Sequence, residues 1–223
     1  MINKDLLSKF SHFYSDIKKS FNKIYKNSNF YDKKISKVFD NDLKYKPSPF
    51  LLSSIINYQK KKYKIEDFAI TSIWKKDVDI KDFKKLNNFF WFFSLDLKSS
   101  KKTTQSILSS WIDNNNKYNK KSWDIDLTSK RIISWLSNHR LTYEDSEEEY
   151  RQKFNHIIQK QTNHLINEIK NSEEVQNKII SCSAIILSGL AYQNNKNYLS
   201  AGLNLLKKII KSSIDNQGFP KSR

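Results

Sequence analysis

Glycine and proline are scarce: the 223 residues hold three of each. Turn punctuation that thin argues against a fold of many short strands and for long helices. One cysteine, Cys182, excludes an internal disulfide framework. It sits in an apolar run and is expected as a buried, inert thiol. Arginine is rare as well. Arg131, Arg140, Arg151 and Arg223 are the only four, so lysine supplies 36 of the 40 basic residues. A dedicated nucleic-acid reader would use more arginine for bidentate base and phosphate contacts. No glycine-rich phosphate loop, HExxH zinc helix or nucleophile elbow occurs. The histidines, His12, His139, His156 and His164, lack cysteine or acidic partners at ligand spacing, so neither a metal nor another cofactor is expected. The longest apolar stretch, residues 182–191, is about half of the ~20 residues that a membrane span requires. The first residues carry Lys4, Asp5 and Lys9 where a signal peptide would have its apolar stretch. A cytoplasmic chain is the expectation on that ground.

What the sequence does hold is aromatic and basic. Hydrophobic residues make up 38 % and aromatic residues 13 %, enough for a packed core despite 28 % charged residues. The formal net charge is +17. Such a surplus attracts polyanions: acidic polysaccharide, anionic lipid or nucleic acid. The competing explanation is compositional. An excess of Lys, Asn, Ile, Phe and Tyr with little Gly, Ala, Pro and Arg is also what an AT-rich genome imposes.

Periodicity organises the chain into helices. Leu6, Phe10, Phe13, Tyr14, Ile17, Phe21, Ile24 and Tyr25 recur at three- and four-residue steps, predicting one long amphipathic helix with a lysine-rich opposite face. A membrane-surface role is one reading of it. Packing on the rest of the protein is the expectation. Residues 27–79 are irregular and are broken by Pro47 and Pro49. Beyond them six helices are expected across residues 79–217. Asp79 caps the first, which carries Phe83, Leu86, Phe90, Phe93 and Leu97. The second follows Ser99 and Ser100, buries Thr104, Ile107, Leu108, Trp111 and Ile112, and stops at Asn114, Asn115 and Asn116. The third spans about residues 127–141. Ser146 with Glu149 reads as a capping box opening the fourth. The fifth runs from Ser172 to Tyr192, and its segment SCSAIILSGLA carries no charge on any face, so neighbours must cover it. The last begins at residues 195–197 and turns Leu199, Leu203, Leu206, Ile210 and Ile214 inward. Short polar connections make successive helices antiparallel.

Few residues suggest a site. Trp111 and Trp135 fall on apolar stripes and read as core. Trp74 and Trp123 fall in connections and are freer to meet a ligand. Asn138, His139 and Arg140 cluster at a helix end, either lining a polar cleft or capping terminal carbonyls; capping is the expectation.

Three stretches in this order resemble the helical domain of heparinase II/III-type proteins. They are LNNFFWFFSLDLKSSKKTTQSILSSWI (86–112), DLTSKRIISWLSNHR (126–140), and a third running from QKQTNHLINEI (159–169) through SAIILSGLAY to IDNQGFPKSR (214–223). The likeness covers about residues 45–223 and lies in pattern, order and spacing. It implies an all-α, incomplete (α/α) toroid of antiparallel hairpins at 46–223, preceded by an amphipathic helix and linker at 1–45. In that family the toroid is followed by a β-sandwich domain. The implied chemistry is β-elimination on a uronic-acid polysaccharide: carboxylate neutralisation, proton abstraction at C5, and protonation of the leaving oxygen. Family members carry cleft residues in the turn after the last helix here. The resemblance therefore nominates Asn216, Gln217, Gly218 and Arg223, with Lys221 in support, beside Asn138, His139 and Arg140. The turn lacks the Asp-Gly-Gly-His form, and residues 177–180 lack an Asn-His pair. The resemblance thus implies an anionic polysaccharide partner and no turnover by this stretch alone, and it brings in the periplasm as the compartment where such lyases often work. The alternative is a non-enzymatic basic helical module that binds polyanions, either nucleic acid or an anionic surface. No specific nucleic-acid recognition is expected in either case.

Overall fold

The computed structural model describes residues 4–37, 42–45, 79–95, 100–193, 196–219 and 221. Trp74, Pro47, Pro49, Leu97 and Arg223 lie outside the described residues. Among the described residues the secondary structure is helical, with no strand. The helices are α1 (Lys4–Lys26), α2 (Asn29–Ile35), α3 (Ile80–Asn88), α4 (Lys101–Asn115), α5 (Ile125–Ser137), α6 (His139–Thr142), α7 (Glu148–Glu168), α8 (Val175–Ala191) and α9 (Lys196–Ser213). Short 3₁₀ segments at Phe90–Ser94 and Ile169–Asn171 follow α3 and α7.

Several boundaries follow from side-chain caps. Asp79 accepts a hydrogen bond from the Asp82 amide, and Ser100 from the Thr103 amide, each satisfying a donor that the first helical turn leaves free. The third expected helix divides instead of running on. Asn138 closes α5 by donating from Nδ2 to the Ser134 carbonyl, and α6 restarts at His139. The helix after Asp79 is shorter than its stripe suggested. It stops at Asn88 because Phe89 takes a left-handed conformation, φ 58°. Phe89 is fully buried among Trp91, Phe92, Trp111 and Trp135. Aromatic burial there outweighs the strain of a positive φ in a bulky residue. The capping box at Ser146 does not form. Its hydroxyl donates back to the Tyr143 carbonyl, and Glu147 stands at the N-cap.

The core is aromatic at one end and small-residue at the other. Trp111, Trp135, Phe89 and Phe154 pack edge-to-face and stacked between α4, α5 and α7. Within it lies Arg131, fully buried. Its guanidinium lies 4.0 Å from the Trp111 ring centroid and donates to Asn87 O, Ser122 O, Thr128 Oγ1 and Gln161 Oε1. Neutral acceptors replace water around a charge that would otherwise be costly to bury.

Helix α8, whose segment 181–191 carries no charge, lies against α5, α7 and α9. Ser129 and Ser181 hydroxyls meet at 2.8 Å between α5 and α8, and Thr162 donates to Ser188 between α7 and α8. A Cβ on Gly189 would come within 2.4 Å of the Leu199 amide nitrogen, and one on Gly202 within 2.7 Å of Ile186. Residue 189 opposite 199, and 186 opposite 202, make α8 and α9 an antiparallel hairpin. Covering is not total, since Ser183 and Leu190 reach the surface. Cys182 is buried, and burial pushes its thiol up to about 11.

Two apolar stripes lie elsewhere than expected. In α9 the buried residues are Tyr198, Gly202 and Ile209, while Leu203 and Ile210 are exposed. The close Gly202 contact sets that rotation. In α1 the departure is larger. Phe13, Tyr14, Phe21 and Ile24 are 65–71 % exposed and Ile17 is 39 % exposed, so these five do not pack into the core of the described residues; the side chains of Leu6 and Phe10 lie outside them. Of that pattern Tyr25 turns inward, against Tyr31 at 5.3 Å between ring centroids.

Candidate anion-binding cleft

The face of α1 opposite its apolar stripe borders a cleft of about 540 Å³. Ser15, Lys18, Lys19, Asn22, Lys23 and Lys26 contribute from successive turns, because three- and four-residue steps keep them on one side. The far wall is Tyr118 and Lys120 from the α4–α5 connection and Asn171 from the 3₁₀ turn after α7. No carboxylate is among these lining residues. Lys26 is paired with Glu168, which pins the end of α1 to α7. Lys18, Lys19, Lys23 and Lys120 supply the remaining positive charge at the rim.

The floor is fixed by a buried aromatic cluster. His164, on α7, accepts at Nδ1 from the Tyr31 hydroxyl at 2.7 Å, and its Nε2 lies 2.9 Å from the Trp123 carbonyl. A carbonyl only accepts, so Nε2 carries a proton; burial keeps the ring neutral at pH 7, which leaves Nδ1 as the acceptor. Burial holds His164 down at about 4, against the weaker opposing pull of Glu168. Tyr118 packs on Tyr31, Trp123 and His164, with ring centroids 5.4–6.3 Å away, and is half-buried. Its hydroxyl is raised above the ordinary tyrosine range, first by burial and then by Glu168 and Asp124. It stays protonated and is poorly suited to act as a base. Trp123, expected to be free for a ligand, is instead buried beneath this floor and donates from its indole to the Asn115 carbonyl. The signal missed was Asn115, which offers a terminal helix carbonyl eight residues earlier.

A second cleft, about 750 Å³, lies between α2, α4 and α7. Its base is Lys160, whose ammonium meets Asp32 Oδ1 at 2.7 Å and the Asn116 carbonyl at 2.6 Å. Lys153 bridges Glu149 and Asp113 across its edge. Charges there are largely matched within the walls. His156 is held below its ordinary value by burial and then by Lys160.

The nominated residues occupy other places. Asn138 and His139 are buried, with His139 Nε2 3.3 Å from Glu144, and Arg140 is exposed. Asn216, Gln217 and Gly218 form an exposed turn beyond α9, closed by Asp215 Oδ1, which accepts from the amides of Gln217 and Phe219. Gly218 adopts φ 87° there, a conformation open to glycine. Lys221 donates to the Lys211 carbonyl. None of the seven described candidates lines the lysine cleft. Among the described residues no group of three or more His, Cys, Asp or Glu could hold a metal, and no helix is long and apolar enough to cross a membrane. Comparison with family models, curated proteins and solved structures finds no match for this chain.

Proposed function

We propose that this chain is a helical module that binds an acidic polysaccharide in the cleft between α1 and the α4–α5 connection. The observation that carries the reading is the cleft's lining: lysines without a carboxylate, interleaved with amides, hydroxyls and one half-buried tyrosine. Ammonium groups suit carboxylate or sulfate substituents. Asn22, Asn27, Asn171, Ser15 and Ser20 suit sugar hydroxyls, and the Tyr118 ring offers an apolar edge for a sugar face. Nucleic acid fits less well. No arginine lines the cleft, and one aromatic residue is a short platform for stacked bases.

The resemblance to heparinase II/III-type lyases leads to the same class of ligand. On this reading the antiparallel α8–α9 hairpin and the buried α8 belong to an incomplete helical toroid. The lysine cleft would then bind substrate, not cleave it, since the Tyr118 hydroxyl is raised and not lowered. The test is affinity for uronate oligosaccharides at rising salt, against single-stranded DNA of equal charge. Preference for the sugar, with no growth of unsaturated-uronate absorbance, is the expected result. Preference for DNA would favour the general polyanion module, and appearance of unsaturated product would show catalysis.

A further inference from the structure

The lysine cleft uses one side of α1 and leaves its apolar side bare. Phe13, Ile17, Phe21 and Ile24 form a continuous ridge on a three- and four-residue spacing, and it points away from α2, α7 and the cleft. A soluble helix ordinarily turns such a ridge inward. Here Lys26, from the polar face, reaches Glu168, and of the stripe Tyr25 turns inward to Tyr31. Among the described residues the fold thus presents large apolar side chains outward in a row, a surface of the kind that marks a docking site.

Charge decides the cover. The helix Lys4–Lys26 carries six lysines against two aspartates, and the chain as a whole is at +17. Pairing this ridge with the same ridge of a second copy would bring two such cationic helices side by side. An anionic bilayer offers the opposite sign together with an apolar layer at the depth of one helix radius. Lys18 and Lys23 flank the ridge, where flexible stems let their ammonium groups stay at headgroup level while the ridge inserts. We propose that α1 docks this chain in-plane on an anionic lipid bilayer, with Phe13, Ile17, Phe21 and Ile24 seated in the interfacial layer.

The test is co-sedimentation of the full chain with phosphatidylcholine vesicles with and without phosphatidylserine, for wild type and the pair Ile17→Ser with Phe21→Ser. Both positions are at least partly solvent-exposed, so the pair should keep the wild-type helical circular dichroism and thermal midpoint, and it should keep polysaccharide affinity. Wild type should bind the phosphatidylserine vesicles and release at high salt, while the pair loses at least about tenfold in partitioning. As a second readout, a polarity-sensitive dye on Phe21→Cys should shift blue on those vesicles, Cys182 being buried. Failure of wild type to bind at low salt, or equal binding by the pair, would overturn the proposal. So would a wild-type dimer in light scattering that the pair converts to monomer, since a second copy would then be the cover. Loss of polysaccharide binding would leave these outcomes untouched.

Discussion

Acid should weaken this protein chiefly at His164, the more deeply buried of two histidines held below their ordinary value. Unfolded, its imidazole titrates near 6.5; folded, burial holds it at about 4. The folded value is the lower one. The contribution is therefore intact above pH 6.5, where the ring is neutral in both states. Below that pH the unfolded chain takes up a proton that the folded chain refuses, and stability falls until the folded value is reached. The full difference is about 3 kcal/mol, at 1.36 kcal/mol per unit. At pH 5 about 2 kcal/mol of it should already be gone. The structural cause is burial: a protonated ring would hold its charge in a site closed to water. Urea unfolding followed by tryptophan fluorescence at pH 7.5, 6 and 5 measures this for wild type and His164→Gln. His156, lowered by burial, remains in both proteins and cancels in the comparison. The variant should be less stable at pH 7.5 but lose about 2 kcal/mol less on going to pH 5. Parallel pH profiles for the two proteins would refute the assignment.

Other consequences concern packing. Gly189→Ala places a methyl against the Leu199 backbone, which has no room to yield, and should cost about 2–3 kcal/mol in urea unfolding. Gly218→Ala meets no atom within 4 Å and should cost about 1–2 kcal/mol, from its positive φ alone. Arg131→Lys keeps the buried charge but loses the fork that serves the Asn87 and Ser122 carbonyls, and should cost about 3 kcal/mol. A thermal midpoint unchanged from wild type would show that neutral acceptors do not hold this guanidinium in place.

Much of the helical framework was legible in the sequence. Asp79 and Ser100 cap where short polar side chains precede apolar periodicity, and Thr104, Ile107, Leu108, Trp111 and Ile112 are all buried along α4. The charge-free stretch of α8 is largely covered, since no face of it suits water. What failed depended on partners far along the chain. Phe89 ends α3 because four aromatic rings surround it, a fact no local propensity contains. The rotation of α9 follows from Gly202 meeting Ile186. For α1, period alone marks an apolar face but not whether anything lies opposite. The cleft was illegible for the same reason: Lys18 and Lys19 meet Tyr118, Lys120 and Asn171 across about 100 to 150 residues of chain. Each of those side chains alone reads as ordinary solvated surface.

The lysine cleft itself is tested most directly by calorimetric titration of a uronate oligosaccharide into wild type, into Lys19→Gln with Lys23→Gln, and into Lys207→Gln with Lys208→Gln, exposed on α9 and outside the cleft lining. Both pairs remove two charges. The cleft pair should lose affinity roughly tenfold or more, and the α9 pair should stay near wild type. Equal losses for the two pairs would mean that net charge, not the cleft, holds the ligand.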